Sequence, residues 1–144
     1  MNRVTDPAKV WPIWSHPKVH PWVVDDFSDR APMPESVSHP NVVCLMPDSQ
    51  DAYTIFIPHR FVIWELHGAV LPEARHKSLM FGQRAIAWMK ENTPCRLILS
   101  YVPKGNFRAM ALDRALGFTK VGVLERSHLL GGKLHNMTLM SLSL

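Results

Sequence analysis

The stretch from Val70 to Phe118 limits the fold more than any other part of the chain. An apolar, strand-like run ends in Val70-Leu71-Pro72-Glu73-Ala74-Arg75, and a helix-like stretch then continues to Asn92. Cys95 to Val102 is a second strand. Asn106 follows, then two helical turns, then Leu116-Gly117-Phe118. The result is a strand–helix–strand–helix unit with an arginine at its first strand-to-helix junction. Such junctions are where α/β proteins hold anions, because helix N-termini present amide N–H groups.

The helix is expected over Ala74 to Glu91. Leu79, Gly82, Ile86 and Met89 recur at helical spacing, flanked by Phe81, Ala85 and Trp88. Lys77, Arg84 and Glu91 mark the wet side. Asn92-Thr93-Pro94 stops it. Cys95 to Val102 carries few charges and reads as a central strand. Asn106 suits an N-cap and Gly117 the residue after a helix C-terminus.

On either side lie more strands. Val42 to Met46, Ala52 to Ile57 and Phe61 to Leu71 are joined by the short turns Pro47 to Asp51 and Pro58 to Arg60, an antiparallel meander. Phe118 to Leu130 and Leu134 to Leu144 meet at Gly131-Gly132, a hairpin signal. The segment 1–41 differs. It holds seven of the 12 prolines (Pro7, Pro12, Pro17, Pro21, Pro32, Pro34 and Pro40), which forbids long helices and inner strands. Trp11, Trp14, Trp22 and Phe27 lie there too. The expectation is an irregular segment of short turns packed on the core of a domain spanning 42–144. A surface for a partner chain is the alternative.

A chain of 144 residues with 47% hydrophobic content is most simply one globular domain. It has no run long enough to span a membrane and no continuous apolar leader near its start, so a cytoplasmic protein is expected. Cys44 and Cys95 read as buried free thiols. The net charge of +4 comes from scattered basic residues, which argues against a nucleic-acid surface. No histidine pair has helical metal-ligand spacing with a carboxylate, and Pro17 interrupts His16/His20. No metal site is expected, and no Gly-x-Ser-x-Gly elbow is present.

With this element order, the chain resembles the GNAT superfamily of acyl-CoA-dependent N-acyltransferases over about residues 42–144. The residues carrying the resemblance are Val70-x-Pro72-x-x-Arg75, Asn106-x-x-Ala109, Leu116-Gly117-Phe118 and the closing hairpin through Gly131-Gly132. It implies a mixed α/β (α+β) sheet with an antiparallel meander, a crossover helix and a C-terminal hairpin. A second resemblance is to small GNAT-like proteins encoded among bacteriophage structural genes. It rests on His67-Gly68-Ala69, Arg75-His76-Lys77, Ala87-Trp88-Met89 and Leu97-Ile98.

The first resemblance implies acetyl-CoA as acyl donor and a small or protein amine as acceptor. Its pyrophosphate would meet Arg75, Lys77 and Ser78; Val70 and Asn106 would meet the pantetheine arm. That arm would lie between the splayed strand ends Leu66 to Val70 and Ile98 to Val102. The family pattern has glycines where Ser78 and Met80 stand, and Met80 crowds the phosphates unless it turns away. Asn106 also has the plain role of an N-cap, and Arg75-His76-Lys77 that of a solvated first turn. Many members use a tyrosine as thiolate acid where this chain has Asp113, whose ordinary pKa of about 3.9 suits that task poorly. Tyr101 is the substitute. Glu65, with His67 two residues on along the same strand face, is the candidate base. The second resemblance implies instead a catalytically silent structural or virion component that contacts other chains through the N-terminal segment.

Overall fold

The computed structural model describes all 144 residues, Met1–Leu144. Seven strands form one sheet: β1 (Asn2–Val4), β2 (Val43–Met46), β3 (Ala52–Pro58), β4 (Ile63–Val70), β5 (Leu97–Pro103), β6 (Thr119–Leu130) and β7 (Lys133–Ser143). Three α-helices accompany them: α1 (Trp11–Trp14), α2 (Ser78–Asn92) and α3 (Phe107–Ala115). The sheet order is β1-β2-β3-β4-β5-β7-β6. β1 to β4 pair antiparallel, β4 and β5 pair parallel across the α2 crossover, and β7 inserts antiparallel between β5 and β6. The expected meander, crossover helix and terminal hairpin are all present.

The punctuation residues do local work. Gly131 and Gly132 take φ of 60° and 71°, which the tight β6–β7 turn requires. Gly117 takes φ of 95° just beyond α3. The Asn106 side chain accepts the Ala109 amide at 3.2 Å and caps α3. Asn106 therefore holds the plain capping role.

Two cores form, one on each sheet face. Phe56, Trp64, Ile98 and Met140 pack with Ala85 and Met89 of α2 on the helix face. Tyr53, Ile55 and Cys44 pack with Val10, Ile13, Trp14 and Val37 on the other. The N-terminal segment is therefore the lid of the second core. Trp14 is buried within its own chain at 4% exposure, so this ring is not a docking surface. The Trp11 indole N–H donates to Glu35 at 3.0 Å.

Three expectations need correction. First, the N-terminal segment also supplies a strand. β1 adds to the edge of β2 through Asn2, Arg3 and Val4. Second, the crossover does not begin as α-helix. Residues Pro72–Lys77 form a 3-10 helix and α2 starts at Ser78. Third, the buried stripe of α2 is Phe81, Ala85 and Met89, at i, i+4 and i+8, and Leu79 is 40% exposed. At about 100° per residue the observed stripe lies roughly a quarter turn from one led by Leu79, and the two share Met89.

The core also depends on a close helix contact. A Cβ at Gly82 would lie 2.7 Å from Leu116 Cδ1, so Gly82 lets α2 approach the end of α3. The shifted stripe makes a test. Phe81→Ala should cost about 3–5 kcal/mol, whereas Leu79→Ala should cost under about 1 kcal/mol. Urea unfolding of the two variants checks this; equal losses would contradict the stripe.

Candidate active site

The parallel pairing of β4 and β5 is short. Ile63, Trp64, Glu65 and Leu66 pair with Leu97, Ile98, Leu99 and Ser100, and there the ladder ends. β4 continues to Val70 on its other partner β3, and β5 continues to Pro103 on β7. The ends His67 to Val70 and Tyr101 to Pro103 therefore part, and a slot opens between them. The slot begins one residue later than expected on β4 and three residues later on β5, since Leu66 and Ile98 to Ser100 are still paired. A cleft of about 1370 Å³ surrounds it, larger than the ~300–1,000 Å³ of ordinary small-molecule sites.

Alternation along the strands sorts the side chains by face. Glu65, His67 and Tyr101 lie on the face covered by the N-terminal segment. Ser100 lies on the helix face, against Asp113 of α3. All five line the cleft.

Glu65 is held by two imidazoles. His59 Nε2 is 2.5 Å from Oε2, and His67 Nε2 is 2.7 Å from Oε1. Burial alone would raise the Glu65 pKa. The hydrogen bonds and charges of His67 and His59 outweigh it and hold the carboxyl below its usual range. An ionised carboxylate only accepts, so each imidazole donates from Nε2. This leaves Nδ1 of His67 as a free acceptor, oriented by Glu65. In this arrangement Glu65 orients the His67 ring, and Nδ1 is the accepting nitrogen that faces away from it. His59 was not singled out from sequence; it enters because the β3–β4 hairpin folds it back onto Glu65. Burial, then the Glu65 charge, raises the Tyr101 hydroxyl pKa, so Tyr101 stays protonated beside the pair.

Asp113 is only 5% exposed, and its Oδ2 has no hydrogen-bond partner. Burial pushes its pKa up to about 6, while the Ser100 hydroxyl draws it partly back. The ordinary aspartate value therefore does not apply to this residue. Asp113 is a protonatable acid on the wall opposite the Glu65–His67 pair.

The other candidates are more dispersed. Val70, Arg75, Ser78 and Asn106 line the cleft. Arg75 donates to the Lys18 carbonyl at 3.2 Å, tying the N-terminal segment to the crossover. Lys77 lies off the cleft, with Nζ 4.0 Å from Asp51 Oδ2. The Ser78 hydroxyl and amide both turn back onto the Arg75 carbonyl, and the Ala74 amide bonds Leu71. The glycine-poor junction thus closes on itself as a 3-10 helix. It offers an anion the charge of Arg75 more than a row of open amides. Met80 is 43% exposed and turned away from the cleft, so it does not crowd the junction.

No protein-family model matches the chain, and no curated protein matches it. Solved structures do match in fold. A ribosomal-protein-S5-alanine acetyltransferase from Vibrio fischeri aligns over 99% of this chain and 91% of its own, with TM-score 0.74 and 14% identity. A spermidine N-acetyltransferase variant from Vibrio cholerae aligns over 76% of this chain and 69% of its own, with TM-score 0.66 and 14% identity. A GNAT-family acetyltransferase from Bacillus anthracis aligns over 74% of this chain and 68% of its own, with TM-score 0.64 and 9% identity. At these identities the likeness establishes a GNAT-like fold.

The raised Asp113 pKa has a defined stability signature. A buried carboxyl whose folded pKa exceeds its unfolded value stabilises fully below the unfolded value. That contribution is lost as pH rises through the folded value near 6. Asp113→Asn should therefore stabilise the protein at pH 7.5, by up to about 3 kcal/mol, and have little effect near pH 3.5. Thermal unfolding at both pH values checks this. An equal effect at the two would contradict the assignment.

Proposed function

We propose that the protein transfers an acyl group from acyl-CoA to an amine. The observation that carries this reading is the slot: two strands part beside a carboxylate-oriented imidazole. Backbone edges without a strand partner suit an extended, amide-bearing arm, which can bond to them as an added strand would. The pantetheine arm of acetyl-CoA has that chemistry, so His67 to Val70 and Tyr101 to Pro103 would hold it, with Arg75 supplying charge for the phosphates. When bound, acetyl-CoA supplies the activated acyl carbon.

The chain's own groups then manage protons. His67 Nδ1 takes a proton from the incoming amine, and Glu65 steadies the imidazolium that results. As the C–N bond forms and the C–S bond breaks, the departing sulfur needs a proton. Tyr101 can give it: its hydroxyl stays protonated and lines the cleft beside the Glu65–His67 pair. The acid and base thus share the face of the slot that the N-terminal segment covers.

The second reading, a silent binding or virion component, draws on the glycine-poor junction. The open slot and the oriented His67 favour acyl transfer. No helix is long and apolar enough to cross a membrane.

Calorimetry with acetyl-CoA tests the reading. Binding is expected, weakened about tenfold or more in Arg75→Ala, the scale of one lost charge-assisted contact. His67→Gln should keep acetyl-CoA affinity and lower kcat by about 10²–10⁴. Absence of binding at high micromolar acetyl-CoA would overturn the proposal.

A further inference from the structure

The Glu65 face of the slot is walled by the N-terminal segment. Trp22, Val23, Val24, Phe27 and Met33 stand along it. Trp22 is 51% exposed and Phe27 59%, although both rings are large and apolar. The segment is strapped in place, so this wall does not depend on a ligand to form. The Asp26 carboxylate accepts the Gly131 and Gly132 amides at 2.7 and 2.8 Å, and the Asp26 amide donates to Leu129 O at 2.9 Å. Arg75 holds the other end through Lys18. Wet rings on a fixed cleft wall favour a ligand that covers them.

Charge on this face is sparse. Its cleft carboxylates are Asp25 and Glu65. Asp25 accepts the Phe27 amide at 2.8 Å and the Ser28 hydroxyl at 3.2 Å on Oδ1, and Glu65 accepts an imidazole N–H on each of its oxygens. Lys18 adds a fixed positive charge, and His59, His67 and His128 add more when protonated. A polyamine carries several ammonium groups along its length, and each needs a carboxylate or water. This wall offers two carboxylates, both already serving protein donors, and apolar surface between and beyond them.

We propose that the acceptor is an amine with one cationic nitrogen on an apolar body. Its nitrogen meets His67 beside Glu65, and its body lies against Trp22 and Phe27. The proposal rests on the acyl-transfer reading. Two sources share this chemistry: a free arylalkyl amine and the N-terminus of a peptide with apolar leading residues.

The full chain with acetyl-CoA is offered three acceptors: 2-phenylethylamine, a hexapeptide beginning Phe-Leu with a free α-amine, and spermidine. Acetyl-CoA binding is measured in parallel. Transfer to either apolar amine at ten or more times the kcat/KM of spermidine is expected, about the ratio one good contact gives. The better of the two identifies the source. The double variant Trp22→Ala/Phe27→Ala should raise KM for that amine about tenfold and leave acetyl-CoA affinity within about twofold. Acetyl-CoA binding with spermidine preferred, or with neither apolar amine accepted, overturns this inference and leaves acyl transfer standing. Absence of acetyl-CoA binding overturns both.

Discussion

Four residue pairs hold the two halves of the sheet together. Ile63 to Leu66 on β4 pair with Leu97 to Ser100 on β5, and beyond them each strand keeps only its outer partner. The β1–β4 sheet and the β5–β7 sheet then diverge with their own twist. A backbone edge that loses its partner must find water or a ligand, because unpaired N–H and C=O groups are costly once buried. The same break that weakens the sheet creates the slot. It also places Glu65 and Ser100, in the last two pairs, on opposite faces where the strands part.

Departures from a quiet, well-satisfied structure collect at this point. Asp113 keeps a buried oxygen without a partner, at a cost in stability that an amide would avoid. Glu65 is clamped between two imidazoles instead of being left to solvent. Trp22 and Phe27 remain wet on a segment that buries Ile13 and Trp14 and half-buries Trp11. The unpartnered Asp113 oxygen and the wet rings are unfavourable or neutral for folding, and the Glu65 clamp holds a partly buried charge that folding alone does not call for. Together they line one cleft, the pattern expected of a site whose chemistry sets the residues.

Much of the fold was legible because its signals are local. Gly131-Gly132, Gly117 and Asn106 act where they stand, through left-handed backbone or a single capping bond. The strands from β2 onward announce themselves by runs of β-branched and aromatic residues. What escaped is tertiary. β1 is three residues long and exists because β2 offers an edge. Packing against the sheet selects Phe81, Ala85 and Met89 as the buried face of α2 and leaves Leu79 exposed. Glu65 and His67 were legible as a pair on one strand face. His59 was not, because only the hairpin brings it back. The raised pKa of Asp113 is not legible from its residue type. Its burial against Ser100 is a property of α3 docking on β5.

The claim on which the account turns is that the parted edges of β4 and β5 receive an extended ligand. Amide chemical shifts of the ¹⁵N-labelled protein, followed during titration with coenzyme A, test it most directly. Shifts concentrated at His67 to Val70 and Tyr101 to Val102, with slowed amide exchange there on saturation, are the predicted result. Saturable shifts elsewhere with these amides unmoved, or no shifts at millimolar ligand, would contradict it.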